Sequence, residues 1–368
     1  MEEGIFYFLG TAPHHMIHAR PVYRKLGGEF IVLSQEGKRL CEKENVPCRM
    51  PDEYPENTEN YDLSKVANTI RYLNSQKGVI FFFQTFNIVS QLHSLKRIML
   101  FHGNSLKDFW FADRKIPVLN KFDHIASLGP YRESVMLKKG VDPEKIVRIG
   151  MPRWDEIIRN AGATKNQELI FDKLGLKKKR IVTYVPTWWP PYSVEDLGKE
   201  IVKNISPDHI LIFRPHPDTP AALIREYEVL IAKKHNVIYV PEGRFKEIDL
   251  TTLLAVSDIF IVDMSSIMTD IILTGKPMIF AFGEHKNREL YRESYAPTEE
   301  RLAPIKEIFG KSEKIYMNNV DKINEIIGSA SNVAIDPGAR NAVKKRLFYN
   351  LEGDATEKLV EFVEGILK

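Results

Sequence analysis

Polar residues with chemistry to offer follow apolar runs at three places in the chain. His102 follows one such run, and the pair Arg214 and His216 follows another. The third place is the turn Asp263-Met264-Ser265-Ser266, which lies between an apolar strand pattern and an apolar helix pattern. The N-terminus of a helix presents unpaired backbone N–H groups, which hold phosphate oxygens well. Together the three corners predict a site that handles phosphate.

Each corner suggests a chemical role and also has a plainer interpretation. Arg214 offers a permanent planar fork for phosphate oxygens, and His216 is able to donate, accept or release a proton near neutral pH. His102 is a candidate general base for an attacking hydroxyl. A surface arginine in a turn and structural histidines at strand ends are the alternatives. The residue types and their order favour the functional interpretation.

Two turns add candidate groups for binding phosphate. Ser265 and Ser266 bring hydroxyls to the predicted helix N-terminus, and Thr187 follows the strand pattern Ile181 to Val185. Serine at this position often does no more than cap the helix. From these residues alone, phosphate binding and helix capping both stay open.

The segment from Gly10 to His18 contains three histidines after the first strand pattern. It is not a GxGxxG fingerprint, which argues against simple NAD binding. His14 and His18 are four positions apart and would share one helix face, so a metal site is an obvious hypothesis. No third ligand of convincing spacing accompanies them, and we favour acceptor contacts or helix capping. We therefore expect neither a metal nor a cofactor.

Composition limits the class of protein. The 368 residues are enough for two domains, and the formal net charge of +3 does not point to a nucleic-acid partner. Cys41 and Cys48 form no CxxC motif, which favours a reducing cytosol. The acidic start of the sequence predicts neither a signal peptide nor a transmembrane helix.

Short β-rich runs alternate with helical patterns along the chain, which is typical of parallel sheets covered by helices. The sequence predicts two Rossmann-like domains, over residues 1–165 and 166–340. A helical segment over 341–368 would close the chain and pack near the interdomain region. Two such doubly wound α/β halves normally face each other across a cleft, with ligands at the carboxyl ends of the strands. The predicted strands are Ile5 to Leu9, Phe30 to Leu33, Val79 to Phe83, Arg97 to Phe101, His124 to Leu128, Ile146 to Ile149, Ile181 to Val185, Ile210 to Phe213, Val237 to Val240, Ile259 to Val262 and Met278 to Phe280.

These motifs, taken in order, resemble the CDP-glycerol glycerophosphotransferases of teichoic-acid synthesis, a family of primases and polymerases with the two-domain GT-B fold. The matching stretches are His102-Gly103-Asn104-Ser105-Leu106-Lys107, Tyr184-Val185-Pro186-Thr187-Trp188, Arg214-Pro215-His216-Pro217, Asp263-Met264-Ser265-Ser266 and Lys276-Pro277-Met278-Ile279-Phe280. Two positions depart from the family pattern, which usually has Thr-Pro after His-Gly and a tyrosine before the two serines. Asn104-Ser105 and Met264 stand there in this chain.

The resemblance implies transfer of glycerol phosphate, or a related polyol phosphate, from a CDP-polyol to a hydroxyl of a glycan or polyprenyl-linked acceptor, with release of CMP. His102 would be the base, and His216 with Arg214 would contact or protonate the donor phosphates. Thr187, Asp263, Ser265 and Ser266 complete the expected donor set. We expect His14, His15, Asn104 and Lys107 to contact the acceptor, with Lys107 neutralising developing negative charge.

The resemblance to the shorter, primase-like members also implies a cytoplasmic enzyme that is peripheral on the inner face of the cell membrane. Two other functions stay open at the level of sequence. One is a nucleotide-sugar glycosyltransferase or sugar-nucleotide epimerase on the same fold, and the other is a non-catalytic protein that binds phosphoglycan.

Overall fold

The computed structural model describes residues 6–10, 12–53, 62–84, 86–106, 112–160, 168, 171–172, 179–188, 193–241, 250–283, 299–332 and 337–368. The chain divides into two compact units, each built on a parallel sheet. The first unit takes its described residues from Met1–Asn104, Phe109–Glu156 and Lys345–Lys368. The second takes its described residues from Ser105–Asp108 and Ile157–Lys344.

The sheet of the first unit has seven parallel strands in the order β3-β2-β1-β4-β5-β6-β7. Its strands are β1 Phe6–Gly10, β2 Glu29–Val32, β3 Cys48–Arg49, β4 Gly78–Phe82, β5 Leu95–Met99, β6 His124–Ser127 and β7 Ile146–Arg148. Its helices are α1 Pro13–Leu26, α2 Gln35–Glu44, α3 Ala67–Asn74, α4 Ile116–Leu119, α5 Pro130–Lys138 and α6 Pro152–Asn160.

The sheet of the second unit has six parallel strands in the order β10-β9-β8-β11-β12-β13. Its strands are β8 Arg180–Val185, β9 His209–Phe213, β10 Val237–Tyr239, β11 Ile259–Val262, β12 Met278–Phe282 and β13 Glu313–Tyr316. The helices from here to the end of the chain are α7 Leu197–Asn204, α8 Ala221–Ile231, α9 Leu250–Val256, α10 Ile267–Thr274, α11 Glu299–Leu302, α12 Lys306–Lys311, α13 Ile323–Asn332, α14 Pro337–Leu347 and α15 Ala355–Leu367.

Both sheets reverse their strand order once, and that reversal decides where a ligand fits. In the first sheet it lies between β1 and β4, and in the second between β8 and β11. Helices that follow the two central strands leave on opposite faces, so the carboxyl ends of those strands open a crevice. Of the three predicted corners, the Asp263 turn follows the central strand β11, whereas His102 follows β5 and Arg214 with His216 follows β9, each one strand away from a reversal.

The buried faces of the strands explain why the sequence forms sheets. Phe8 on β1 stacks on Phe30 and Phe81, with ring centroids 5.0 and 5.1 Å apart. Strands covered by helices on both faces are apolar at nearly every position, as β1 and β11 are. The doubly wound α/β fold predicted from the alternation of elements is confirmed.

The last helix, α15, belongs to the first unit. Leu359 and Val363 join the core that contains Phe8 and Ile149. Asp155 of α6 ties down the start of the helix, because its carboxylate accepts hydrogen bonds from the backbone N–H groups of Ala355 and Thr356 at 2.9 and 2.7 Å. A carboxylate at this end also suits the helix dipole.

The predicted strands correspond to observed strands within a few residues, but two observed strands were not predicted. They are β3, which has two residues, and β13, whose exposed positions give it little apolar pattern. The sequence also predicts a connecting helical region near Asn166 to Leu174, and most of that range lies outside the described residues. Within the described ranges, none of the helices combines the length and apolarity that crossing a lipid bilayer requires.

Gly129 provides a test of how closely the end of helix α14 packs in the first unit. A Cβ atom on Gly129 would lie 1.9 Å from the carbonyl oxygen of Leu347, which is backbone and has no rotamer to change. Gly129→Ala should therefore lower the free energy of unfolding by about 1–3 kcal/mol or more in urea titrations. Gly365→Ala is the matched control, since nothing lies within 4 Å of its added Cβ, and it should stabilise helix α15 slightly. Equal stability of the two variants would contradict this account.

Candidate active site

The reversal point of the first sheet collects histidines from two distant parts of the chain. Helix α1 begins three residues after β1 ends and carries His14, His15 and His18 in its first turns. His102 comes three residues after the end of β5. Because β4 lies between β1 and β5, with all three parallel, their carboxyl ends lie at one edge of the sheet.

The residue before His102 has an unusual backbone conformation. Phe101 has a φ of 60°, in the left-handed region that a bulky side chain rarely adopts. Its side chain is buried, with 3% of its surface exposed. Strain of this kind costs of order 1–3 kcal/mol, persists only where the surroundings impose it, and concentrates at functional sites.

One hydrogen bond sets the tautomer of His102. Its Nδ1 lies 2.7 Å from the carbonyl oxygen of Phe83, an atom that can only accept. Nδ1 therefore carries the proton, and in the neutral ring the lone pair is on Nε2. This is the arrangement that a general base needs, since the second nitrogen is oriented by a fixed partner.

The histidine rings lie close together. The ring centroid of His102 is 4.9 Å from that of His14 and 4.8 Å from that of His15, while His14 and His15 are 4.5 Å apart. His15 also stacks on Phe83 at 6.2 Å. The sequence pointed to a pair, His14 with His18, but the structure groups His14 and His15 with His102 instead.

The cluster favours neutral imidazoles. Burial, and after it the charge of Arg153, lowers the pKa of His14 to about 4. Burial also lowers the pKa of His15 well below the usual value, and its imidazole neighbours add to the effect. Burial lowers the pKa of His18 in the same way, with further contributions from Arg153 and then from the neighbouring imidazoles. Neutral rings of this kind suit lone-pair chemistry rather than ion pairing.

His18 and Arg153 also lie in this region, and neither was named from the sequence as a catalytic or donor-binding residue. Arg153 is buried at the start of α6, and its Nη1 lies 3.0 Å from Nε2 of His18. The guanidinium can only donate, so Nε2 of His18 accepts. The sequence does contain a signal for Arg153, because its turn follows a strand as the three predicted corners do.

The remaining predicted acceptor residues have different outcomes. Asn104 is 1% exposed, and its Nδ2 donates to the carbonyl oxygen of Leu347 at 3.0 Å. Its amide nitrogen thus holds the chain near the end of α14. Lys107 lies outside the described residues.

In the second unit, Asp263 organises the reversal point between β8 and β11. It is 1% exposed, and its Oδ1 accepts from the backbone N–H of Thr187 at 2.8 Å. Its Oδ2 accepts from the hydroxyl of Ser193 at 2.9 Å, and that hydroxyl lies 2.8 Å from the hydroxyl of Tyr184. A buried carboxylate is stable here because charge-assisted hydrogen bonds satisfy it. Asp263 therefore fixes the turn that carries Thr187.

Arg214 and His216 follow β9 next to this turn. The Nη1 of Arg214, whose side chain is largely buried, donates to the carbonyl oxygen of Val240 at 3.3 Å. The Nδ1 of His216 lies 3.2 Å from the backbone N–H of Asp218 and 3.6 Å from the Oδ2 of that residue. In the neutral ring, an Nδ1 that accepts from the N–H leaves the proton on Nε2. The ring of Trp188 lies 5.7 Å from that of His216. His216 thus has the opposite tautomer from His102.

The two serines begin helix α10 without capping it. Ser266 is the N-cap residue, and its side chain makes no capping hydrogen bond. Thr269 instead donates its hydroxyl to the carbonyl oxygen of Ser266 at 2.8 Å. Both serines are partly exposed. The capping alternative that the sequence left open does not apply to Ser266.

A family model described as CDP-Glycerol:Poly(glycerophosphate) glycerophosphotransferase matches residues 40–365. The chain belongs to this family. The resemblance noted in the sequence is thereby confirmed.

Individual relatives are distant. The teichoic acid ribitol-phosphate polymerase TarL of Staphylococcus aureus is 27% identical over 172 residues, which are 44% of this chain and 29% of TarL. The teichoic acid glycerol-phosphate primase of Bacillus subtilis is 23% identical over 219 residues, covering 54% of this chain and 53% of the primase. The matches thus span about half or less of the length of these curated relatives.

The solved structure of the wall teichoic acid polymerase TagF has the same fold. It superposes with a TM-score of 0.61 at 14% identity, over 98% of this chain and 88% of that chain. At this identity the likeness shows the fold alone. It confirms the predicted GT-B class of two parallel-sheet α/β domains.

Asp263→Asn tests the role of the buried carboxylate in this family member. An amide still accepts from Thr187, but its NH₂ group then meets the N–H and hydroxyl of Ser193, which are themselves donors in the native turn. The free energy of unfolding should fall by about 1–3 kcal/mol in chemical denaturation. The exposed Asp208→Asn is the control and should be close to wild type. An unchanged Asp263→Asn protein would rule out the anchoring role.

Proposed function

We propose that the protein transfers a polyol phosphate, glycerol phosphate in the first instance, from a CDP-polyol to a hydroxyl of a glycan or polyprenyl-linked acceptor and releases CMP. The observation that carries the proposal is the pair of opposite histidine tautomers. His102 has its lone pair on Nε2, and His216 has its proton on Nε2. A transfer of this type uses one base and one proton donor.

The base acts on the acceptor. Nε2 of His102 takes the proton of the attacking hydroxyl while the hydroxyl oxygen forms a bond to the phosphorus that carries the polyol. The bond from that phosphorus to the bridging oxygen breaks, and the electron pair leaves on CMP. The charge on the phosphate oxygens rises during this exchange, so positioned donors supply most of the catalysis.

The donor side draws on the second unit. The guanidinium of Arg214 and the Nε2–H of His216 suit the phosphate oxygens of the donor. Thr187, placed by Asp263, and the N-terminus of helix α10 at Ser265 and Ser266 offer further N–H and hydroxyl donors. In this assignment Asp263 serves the donor site by positioning Thr187. A TagF structure described with CDPG after a soak supports the choice of donor class.

The expected result of removing either histidine is loss of CMP release. His102→Ala should lower the rate by about 10²–10⁴-fold because the base is gone. His216→Ala should lower it by about 10²–10³-fold because one donor to the phosphates is gone. CMP release from CDP-glycerol and CDP-ribitol is measured, with circular dichroism to verify folding. The exposed His93→Ala serves as the control and should keep the wild-type rate.

The same assay separates the proposed function from its rivals. UDP release from UDP-sugars without CMP release would identify a glycosyltransferase or epimerase. Tight binding of phosphoglycan without any nucleotide release would identify a binding protein. Full CMP release by either histidine variant would refute the catalytic assignment.

His14, His15, Asn104 and Lys107 stay our proposed acceptor residues. A polyprenyl-linked acceptor would bring the protein to the inner face of the cell membrane as a peripheral protein. We expect the protein to cosediment with vesicles that contain such an acceptor, and more weakly with vesicles of the same lipids without it. Equal sedimentation with both vesicle types would argue against a lipid-linked acceptor.

A further inference from the structure

The histidine cluster at the reversal point of the first sheet offers more than a base. One ring nitrogen from each of His14, His15 and His102 lies within 4.8 Å of the other two. The first two residues lie in the first turn of helix α1, and the third lies three residues after the end of β5. Three convergent imidazoles from two parts of the chain are the donor set of a transition-metal site.

The spacing is close to what a metal requires. Zn–N bonds of about 2.0–2.1 Å in a tetrahedral site place ligand nitrogens about 3.4 Å apart. The nitrogens of the cluster, which lie within 4.8 Å of one another, would approach each other by about an ångström on binding a metal. Three protein ligands leave one coordination position open, as in catalytic zinc sites.

The surroundings of His102 suit a ligand. Metal-bound histidines usually donate their second N–H to a carbonyl or carboxylate, which fixes the ring and makes the ligating nitrogen a better donor. His102 makes this bond through Nδ1 to the carbonyl oxygen of Phe83. Nε2 is therefore the atom that would ligate.

Arg153 explains why His18 is not one of the converging histidines, and it indicates which ligand the open coordination position would hold. Its Nη1 engages Nε2 of His18, so His18 is not among the converging nitrogens. A permanent cation near a divalent ion is unfavourable unless an anion lies between them. Hydroxide or a phosphate oxygen in the open position would offset that repulsion.

We propose that His14, His15 and His102 bind a divalent transition-metal ion of the Zn²⁺ class, in a site whose open position takes an anion. A metal on Nε2 of His102 occupies the lone pair that would remove the acceptor proton. Metal occupancy and polyol-phosphate transfer then exclude each other. This second consequence rests on the proposed function, whereas binding of the metal does not.

The binding experiment uses the full chain after treatment with EDTA and removal of the chelator. Calorimetric titration with Zn²⁺ and the visible spectrum of added Co²⁺ should each show one ion per chain, and Zn X-ray absorption should show three imidazole ligands. Mg²⁺ should give no signal, since imidazole does not suit it. His14→Ala and His15→Gln should each weaken Zn²⁺ binding by at least about 100-fold. His93→Ala is the matched control and should bind as the wild type does.

The absence of one-to-one Zn²⁺ and Co²⁺ binding would overturn the site. So would a three-imidazole spectrum that persists in both folded variants. Because the absorption spectrum of the wild-type protein counts ligands directly, the site can be refuted even if a variant fails to fold.

Activity decides the consequence for catalysis separately. The metal-free protein should release CMP from CDP-glycerol, and one equivalent of Zn²⁺ should abolish that release. Activity that requires Zn²⁺ would overturn the exclusion while leaving the site. Absence of CMP release both with and without Zn²⁺ would refute the proposed function, and the metal titration would still be read independently.

Discussion

The hydrogen bond from Nδ1 of His102 to the carbonyl oxygen of Phe83 determines what the first unit can do chemically. It joins the chain after β5 to the chain after β4, and it depends on the left-handed backbone at Phe101. The buried phenyl ring of Phe101 holds that conformation in place against its intrinsic cost. The same bond directs Nε2 of His102 to any partner, whether a proton or a metal ion.

The second unit repeats the strand order of the first but uses it differently. Its reversal point is organised by a buried carboxylate, Asp263, where the first unit has a cluster of neutral imidazoles. The carboxylate accepts from the backbone N–H of Thr187 and the hydroxyl of Ser193, whereas the imidazoles of the first unit contact one another.

Periodicity made the strands and the fold class predictable, because strands buried on both faces are continuous apolar runs. It failed for β13, an edge strand whose Glu313 and Lys314 are only partly buried. The three corners were predictable because functional residues follow strands in this architecture. The close approach of His102 to His14 and His15 was not predictable. It depends on β1 and β5 lying on either side of β4, and no local sequence pattern contains that information. The inward hydrogen bonds of Asp263 to Thr187 and Ser193 were equally out of reach, because they join residues far apart in the sequence.

Helix α15 completes the core of the first unit, although the second unit precedes it in the chain. Asp155, whose carboxylate accepts hydrogen bonds from the start of this helix, is synthesised about 200 residues earlier. During synthesis on the ribosome, the first sheet therefore emerges with part of its apolar face uncovered, and it remains so while the whole of the second unit is translated. The residues of the second unit are thus synthesised before helix α15, which supplies Leu359 and Val363 to the core of the first unit.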